Sequence, residues 1–263
     1  MYLVDVLIQG FPGKSICHGG LGWSTVTLLR GHGRTILVDV GAFGIRRELR
    51  QQLEAQGVRP EDVTDIFLTH AHYDHAVNFV LFPQATVWIG DVELSWAAAQ
   101  PPGFNPLPEL YVAELVRHPR VRRVQVGDAP WPGFTALASP GHTPGHLLLY
   151  LHGNPVPFLF TGDAAKNRAE LLSRDVDATL DSVASRQSLE LIWETWSRVT
   201  GTILVPGHDL CMCLGEDGAP QYLGTRRAGI AAWFSESIHA MKLFEFGVAG
   251  VYGPGYLEGC ERT

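Results

Sequence analysis

Thr69-His70-Ala71-His72-Tyr73-Asp74-His75 is the stretch on which the reading of this chain turns. Three histidines and one aspartate fall within residues 70–75, and all four are metal-ligand types. At this chain's His and Asp content, an H-x-H-x-D-H string would arise by chance with a probability on the order of 10⁻³. The apolar run Val63 to Leu68 just before it reads as a buried strand, so the motif lies at a strand's C-terminal end. A turn placed there for solubility alone would carry Ser, Asn or Lys.

The same residue types recur along the chain, each time after a predicted strand. Ser139-Pro140-Gly141-His142-Thr143-Pro144-Gly145-His146 follows Phe134 to Ala138. Thr161-Gly162-Asp163 follows Pro157 to Phe160, and Pro206-Gly207-His208-Asp209 follows Thr202 to Val205. Upstream, Leu37-Val38-Asp39-Val40-Gly41 ends another strand. Strand ends gathered on one rim are where α/β folds place their sites.

The remaining pattern sets the architecture. Tyr2 to Ile8 alternates toward a strand, and Thr25 to Leu29 and Thr35 to Asp39 flank a tight turn at Gly31-His32-Gly33-Arg34. Arg46 to Gln56 reads as a helix, with Leu49 and Leu53 at i, i+4 and Gly57 as its stop. Thr86 to Ile89 is a strand, and Asp91 is placed to cap a helix through Ala99. Gln100 to Leu110 holds four prolines and reads as a loop. Val121 to Val126, Phe134 to Ala138, Leu147 to Leu151 and Pro157 to Thr161 read as strands. Leu180 to Val199 and Gly224 to Met241 read as helices. Strands that follow strands through short turns imply antiparallel pairing. The expected fold is therefore α/β: two mixed, mainly antiparallel sheets face to face with helices outside, one domain over residues 1–263. A dinucleotide fold is disfavoured, because Gly19-Gly20-Leu21-Gly22 precedes a strand and not a helix.

Composition narrows the partners. The chain has 263 residues, 46% hydrophobic and 18% charged, too apolar for a disordered chain. No apolar run approaches the ~20 residues of a membrane span, and Met1 to Gly10 does not read as a signal peptide. A cytoplasmic location is expected. A net charge of −7, with basic residues clustered only at Arg120, Arg122 and Arg123, argues against nucleic-acid binding. Cys17, Cys211, Cys213 and Cys260 are too sparse for a disulfide scaffold and read as reduced thiols. His18, His32, His118, His152 and His239 have no ligand neighbourhood, and His146 reads as structural.

In combination these motifs resemble the metallo-β-lactamase fold superfamily, an αββα sandwich with a metal site at the sheet edges. The resemblance runs from the first strand to His208 and fills all seven expected ligand positions. It implies one ion held by His70, His72 and His142, a second by Asp74, His75 and His208, and Asp163 bridging both. Two Zn²⁺ per chain are expected, with Fe or Mn as alternatives. It further implies a hydrolase in which a metal-bridging hydroxide attacks a carbonyl, with Asp74 carrying the proton to the leaving group. Asp39 is expected behind the ligands, accepting an imidazole N–H.

Within the superfamily, Asn78-Phe79-Val80-Leu81-Phe82-Pro83 is similar to the acyl-homoserine lactonase branch and to the branch of metallo-β-lactamase domain-containing protein 1. The lactonases carry a Tyr between the bridging Asp and the last His; here Lys166, Asn167 and Arg168 follow Asp163 and no Tyr lies between Asp163 and His208. Those three suit a substrate bearing an anionic group. Phe104, in the Pro-rich loop, is a further candidate substrate contact beside Trp96. The leading expectation is hydrolysis of a small lactone, ester or amide by a chain that can form a homodimer. The alternatives are a mononuclear-iron persulfide-dioxygenase-like enzyme, a glyoxalase II-like thioesterase, a phosphodiesterase or nuclease, and a non-catalytic metal-binding module.

Overall fold

The computed structural model describes residues 1–15, 19–104 and 106–246. Cys17, His18, Cys260 and the Gly-rich stretch 247–259 lie outside the described residues. In chain order the strands begin with β1 (Leu3–Ile8), the two-residue β2 (Lys14–Ser15) and β3 (Gly19–Gly20), β4 (Val26–Gly31) and β5 (Arg34–Val38). Helix α1 (Arg46–Ala55), β6 (Asp65–Leu68), the single turn α2 (Tyr73–Ala76) and β7 (Thr86–Gly90) follow. Next come α3 (Asp91–Ala98), α4 (Glu109–Arg117), β8 (Val121–Val124), β9 (Phe134–Ala138), β10 (Leu147–Leu151) and β11 (Phe158–Gly162). The order closes with α5 (Arg168–Ser173), α6 (Ser182–Ser197), β12 (Ile203–Pro206), β13 (Met212–Leu214), β14 (Pro220–Tyr222), β15 (Gly229–Trp233) and β16 (Met241–Glu245).

Two six-stranded mixed sheets result, ordered β1-β4-β5-β6-β7-β8 and β14-β13-β12-β11-β10-β9. The first is antiparallel across β1, β4 and β5 and parallel from β5 to β8. Its parallel half follows from α1, the ligand segment, and α3 with α4, which lie between successive strands and return the chain to the same end. In the second sheet only β11 and β12 run parallel.

The strands are apolar on both faces, which four layers require. Ile36, Val38 and Phe67 point between the sheets, where Leu147, Leu149, Phe160 and Val205 meet them. Leu37, Ile66 and Leu68 point the other way and pack under Leu49 and Leu53 of α1, Leu94 of α3 and Leu115 of α4. Leu148, Leu159 and Leu204 likewise pack under Leu171 of α5 and Leu189, Ile192 and Trp196 of α6. At the β4–β5 hairpin His32 and Gly33 both take positive φ (51° and 71°), as a two-residue turn of that hand demands.

Three local expectations are corrected. Gly224 to Met241 is not a helix: β15 and β16 form an antiparallel hairpin, with Trp233 opposite Met241 and Ile230 opposite Phe244. Between them Ser235 and Ser237 accept the N–H groups of Ser237 and His239, a local bonding that competes with helix. Asp91 does not cap α3; Gly90 holds that position, and Asp91 Oδ1 instead binds Arg123 at 2.6 Å. The Pro-rich loop ends earlier than Leu110, because α4 begins at Glu109 with Val112 and Leu115 turned inward. Helix α5 and strands β13 and β14 carry too few residues for a readable period. Among the described residues no helix is long and apolar enough to cross a membrane.

Candidate metal centre

The topology brings five strand ends to one rim. β5 and β6 run parallel, so Asp39 and the 69–75 segment leave from the same end. β11 and β12 also run parallel and deliver Asp163 and His208 together. β10 is antiparallel to both β9 and β11, so the β9–β10 connection carrying His142 lies at that end too.

There the seven side chains converge. His70, His72 and His142 form one group, His70, His75 and Asp163 a second, and Asp74, His75 and His208 a third. His142 Nε2 lies 2.9 Å from His72 Nδ1. His75 Nε2 and His208 Nε2 are 3.3 Å apart, and Asp74 Oδ2 is 3.3 Å from His208 Nε2. Asp163 sits between the groups: Oδ1 is 3.2 Å from His75 Nε2 and 3.1 Å from His208 Nε2, while Oδ2 is 3.3 Å from His142 Nε2. A tetrahedral zinc ion with bonds of ~2.0–2.1 Å separates its ligand atoms by about 3.3–3.4 Å. The donor separations here fall near that edge length. His70 Nε2 is buried with no hydrogen-bond partner, an orphaned acceptor a cation would satisfy. The residues present therefore fit metal ions.

Three of the five imidazoles are oriented from behind. His75 Nδ1 donates to Asp39 Oδ2 at 2.8 Å, leaving Nε2 to face the centre. Thr69 Oγ1 donates to Asp39 Oδ2 at 2.9 Å and can thus accept from His70 Nδ1 at 3.1 Å. The Thr69 N–H also donates to Asp39 Oδ1, so one carboxylate at the end of β5 steadies two ligands. His142 Nδ1 donates to the Ala178 carbonyl at 3.0 Å. These partners fix tautomers as metal-bound imidazoles need.

Charge divides the site in two. Burial, reinforced by neighbouring imidazoles, holds His70 well below the usual histidine range. Burial likewise holds His142 well below it and His72 at about 4, so this triad is neutral and ready to coordinate. Burial opposes protonation of His75 and His208 too, but Asp163 and other nearby carboxylates outweigh it and raise both. Burial opposes ionisation of Asp163, yet His208, His75 and His142 pull its carboxyl well below the ordinary range. A cation there would replace those protons.

Further residues complete the frame, His146 among them in the structural role expected of it. His146 donates from Nδ1 to Ser139 Oγ at 2.7 Å and accepts the Asp163 N–H at Nε2 at 3.0 Å, so it holds a ligand's backbone. Gly207 must lack a side chain, because a Cβ there would stand 2.4 Å from Asp163 Oδ1. Ser24 Oγ donates to the Asp74 carbonyl. Glu93 is buried in the first turn of α3 against both ligand loops. A signal for it existed: a carboxylate four residues before Ala97 and next to Leu94, on the face that packs inward.

The candidate substrate residues divide. Lys166 Nζ is buried 3.0 Å from Glu170 Oε1, and the Lys166 carbonyl accepts the His208 N–H. Asn167 caps α5, its Oδ1 accepting from the N–H groups of Ala169 and Glu170. The Arg168 Nε donates to the Pro220 carbonyl, and its guanidinium lies over the Tyr222 ring. Phe104 packs edge-on against Trp96, ring centroids 5.9 Å apart. The loop that carries it reaches the ligand motif at the Pro106 carbonyl, which accepts the Tyr73 N–H.

The chain belongs to the metallo-beta-lactamase superfamily, whose family model matches residues 19–208. Metallo-beta-lactamase domain-containing protein 1 of Xenopus laevis is 28% identical over 214 residues, covering 78% of each chain. N-acyl homoserine lactonase AttM of Azorhizobium caulinodans is 30% identical over 225 residues, 77% of this chain and 80% of its own. Among solved structures, an N-acyl homoserine lactone hydrolase with N-hexanoyl-L-homoserine bound at its catalytic metal centre superposes with a TM-score of 0.64 at 19% identity. That match covers 79% of this chain and 92% of the other, and shows likeness of fold.

Proposed function

We propose that this chain is a dinuclear metal-dependent hydrolase that attacks the carbonyl carbon of a small lactone, ester or amide and breaks its acyl C–O or C–N bond. The observation that carries the reading is the placement of Asp163, with one oxygen toward His142 and the other toward His75 and His208. A carboxylate so shared suits two ions better than one. Two zinc ions, or iron or manganese in their place, would supply Lewis acidity: water acidic near neutral pH and a polarised substrate carbonyl. His70, His72 and His142 would hold the first, Asp74, His75 and His208 the second.

The chain's own groups account for the rest. Asp74 is the most open of the seven side chains whose exposure bears on the choice, at 16%, against 10% for His208 and 6% for His142 and Asp163. It is therefore placed to carry a proton to the leaving group at the mouth of the site. Tyr73, between two ligands, is 40% exposed and offers an apolar wall, and Phe104 would extend that wall from the Pro-rich loop. Lys166, Asn167 and Arg168 are poorly suited to hold a substrate's anionic group, because Lys166 Nζ is buried against Glu170 and the other two already hold the fold. The likeness to lactonases supports the choice of bond.

The test is a hydrolysis screen of the zinc-loaded protein against lactones, esters, cyclic amides, thioesters and phosphodiesters. Turnover of lactones or esters, lost in Asp163→Ala together with metal, is the expected result. Turnover confined to phosphodiesters or thioesters would overturn the assignment of the bond.

A further inference from the structure

Resting on the reading of the rim as a metal centre, we infer that Glu93 is the positioning residue of the first triad, its carboxylate fastening the loop of His70 and His72 to the loop of His142. Glu93 Oε1 accepts the Ala71 N–H at 2.9 Å, and Ala71 lies between His70 and His72. Oε2 accepts Thr143 Oγ1 at 2.7 Å and the Gly145 N–H at 3.2 Å, both just after His142. One side chain thus joins residues that adjoin all three ligands, although the loops are some seventy residues apart in sequence. All three donors come from those two loops.

The surrounding backbone is shaped to the same end. A Cβ on Gly145 would stand 2.0 Å from the Glu93 nitrogen, so the His142 loop lies directly on the first turn of α3. Leu147 donates its N–H to the Thr69 carbonyl at 3.0 Å, which brings the bases of the two loops together. Glu93 closes their tips. No cation is needed for this bond pattern, and the cost is visible in the carboxyl itself: burial pushes Glu93 up to about 7 despite the three donors. A Leu or Met would fill the same place in α3 without that cost, but would leave two N–H groups and a hydroxyl unpaired. The carboxylate is explained by what it fastens.

The reach matters as much as the chemistry. Oε1 and Oε2 serve different loops, so the fork must sit midway between them. Glu93→Gln keeps the reach but turns an N–H₂ group toward one set of donors. Glu93→Asp keeps the acceptors and withdraws them by one methylene.

The experiment uses full-length protein stripped with a chelator and titrated with Zn²⁺ against a chromophoric competitor. The visible spectrum of the Co²⁺-loaded protein is a second readout, and the melting temperature of the metal-free protein a third. The wild type should bind two ions. In Glu93→Gln one binding event should weaken ~10–100-fold, the scale typical of residues that orient ligands, with the other nearly unchanged. Glu93→Asp should weaken the same event at least as much, and both variants should alter the Co²⁺ spectrum. Wild-type affinity and spectrum in both variants, with only the metal-free melting temperature lowered, would overturn the inference and make Glu93 a packing residue. Equal weakening of both events would overturn it as well. Failure of the wild type to take up metal would overturn the metal-centre reading itself, and this inference with it.

Discussion

Glu93 also makes a prediction in the absence of any metal. In Glu93→Gln the one titrating group is removed while the shape of α3 is kept. The wild-type carboxyl is fully buried, and burial raises it from its ordinary 4.5 to about 7. Below pH 4.5 it is protonated in both the folded and unfolded chain and contributes no pH dependence. As pH rises toward 7 the unfolded chain loses the proton first, so the folded state is progressively destabilised. Above 7 the difference is constant, and the raised value corresponds to about 3 kcal/mol. The buried histidines are present in both wild type and variant, so the comparison isolates the Glu93 carboxyl. The stability of the wild type relative to Glu93→Gln should therefore fall by about 2–3 kcal/mol between pH 5 and pH 8, most of it before pH 7. Urea unfolding of both proteins in excess chelator, at half-unit steps of pH, measures this directly. Parallel stability curves would show that Glu93 is not held raised, and would refute the burial argument.

Further outcomes follow from the geometry. Gly207→Ala places a Cβ 2.4 Å from Asp163 Oδ1 and 2.6 Å from the Gly162 carbonyl; it should lower stability by ~1–3 kcal/mol and release one of two bound ions, read by denaturation and elemental analysis. Asp39→Asn removes the charged acceptor of His75 Nδ1 and of Thr69, and should weaken metal binding ~10–100-fold in a chelator competition. Phe104→Ala should raise KM with kcat and metal content nearly unchanged; a fall in stability with KM unchanged would confine Phe104 to packing on Trp96.

The candidate ligands were legible because their chemistry is costly elsewhere. A chain does not place His70, His72, Asp74 and His75 at the end of a buried strand for packing, and each further ligand loop repeats the placement. The strands were legible because both faces are buried, so runs such as Leu147 to Leu151 are apolar throughout. The C-terminal hairpin was not, because its Trp233 and Ile230 pair across strands and leave no period that separates strand from helix. α4 was hidden by the prolines before it: Pro108 stands at the helix entry, where a proline is tolerated, and reads as loop in sequence. Glu93 was hidden for another reason. Its inward face on α3 was readable, but its role depends on Ala71 and Thr143, about 20 and 50 residues away, and local spacing carries no trace of those contacts. Asn167 and Arg168 show the converse. Polar side chains beside a ligand can be fully occupied in holding a helix cap and a strand end.

Two metal ions on this rim are proposed to do the work of hydrolysis. Elemental analysis of the purified protein, with turnover measured on the same sample before and after chelation and after adding Zn²⁺ back, tests this most directly. About two ions per chain are expected, with activity lost on chelation and restored with zinc, and both lost together in His70→Ala and in Asp163→Ala. A fully active metal-free preparation would contradict it.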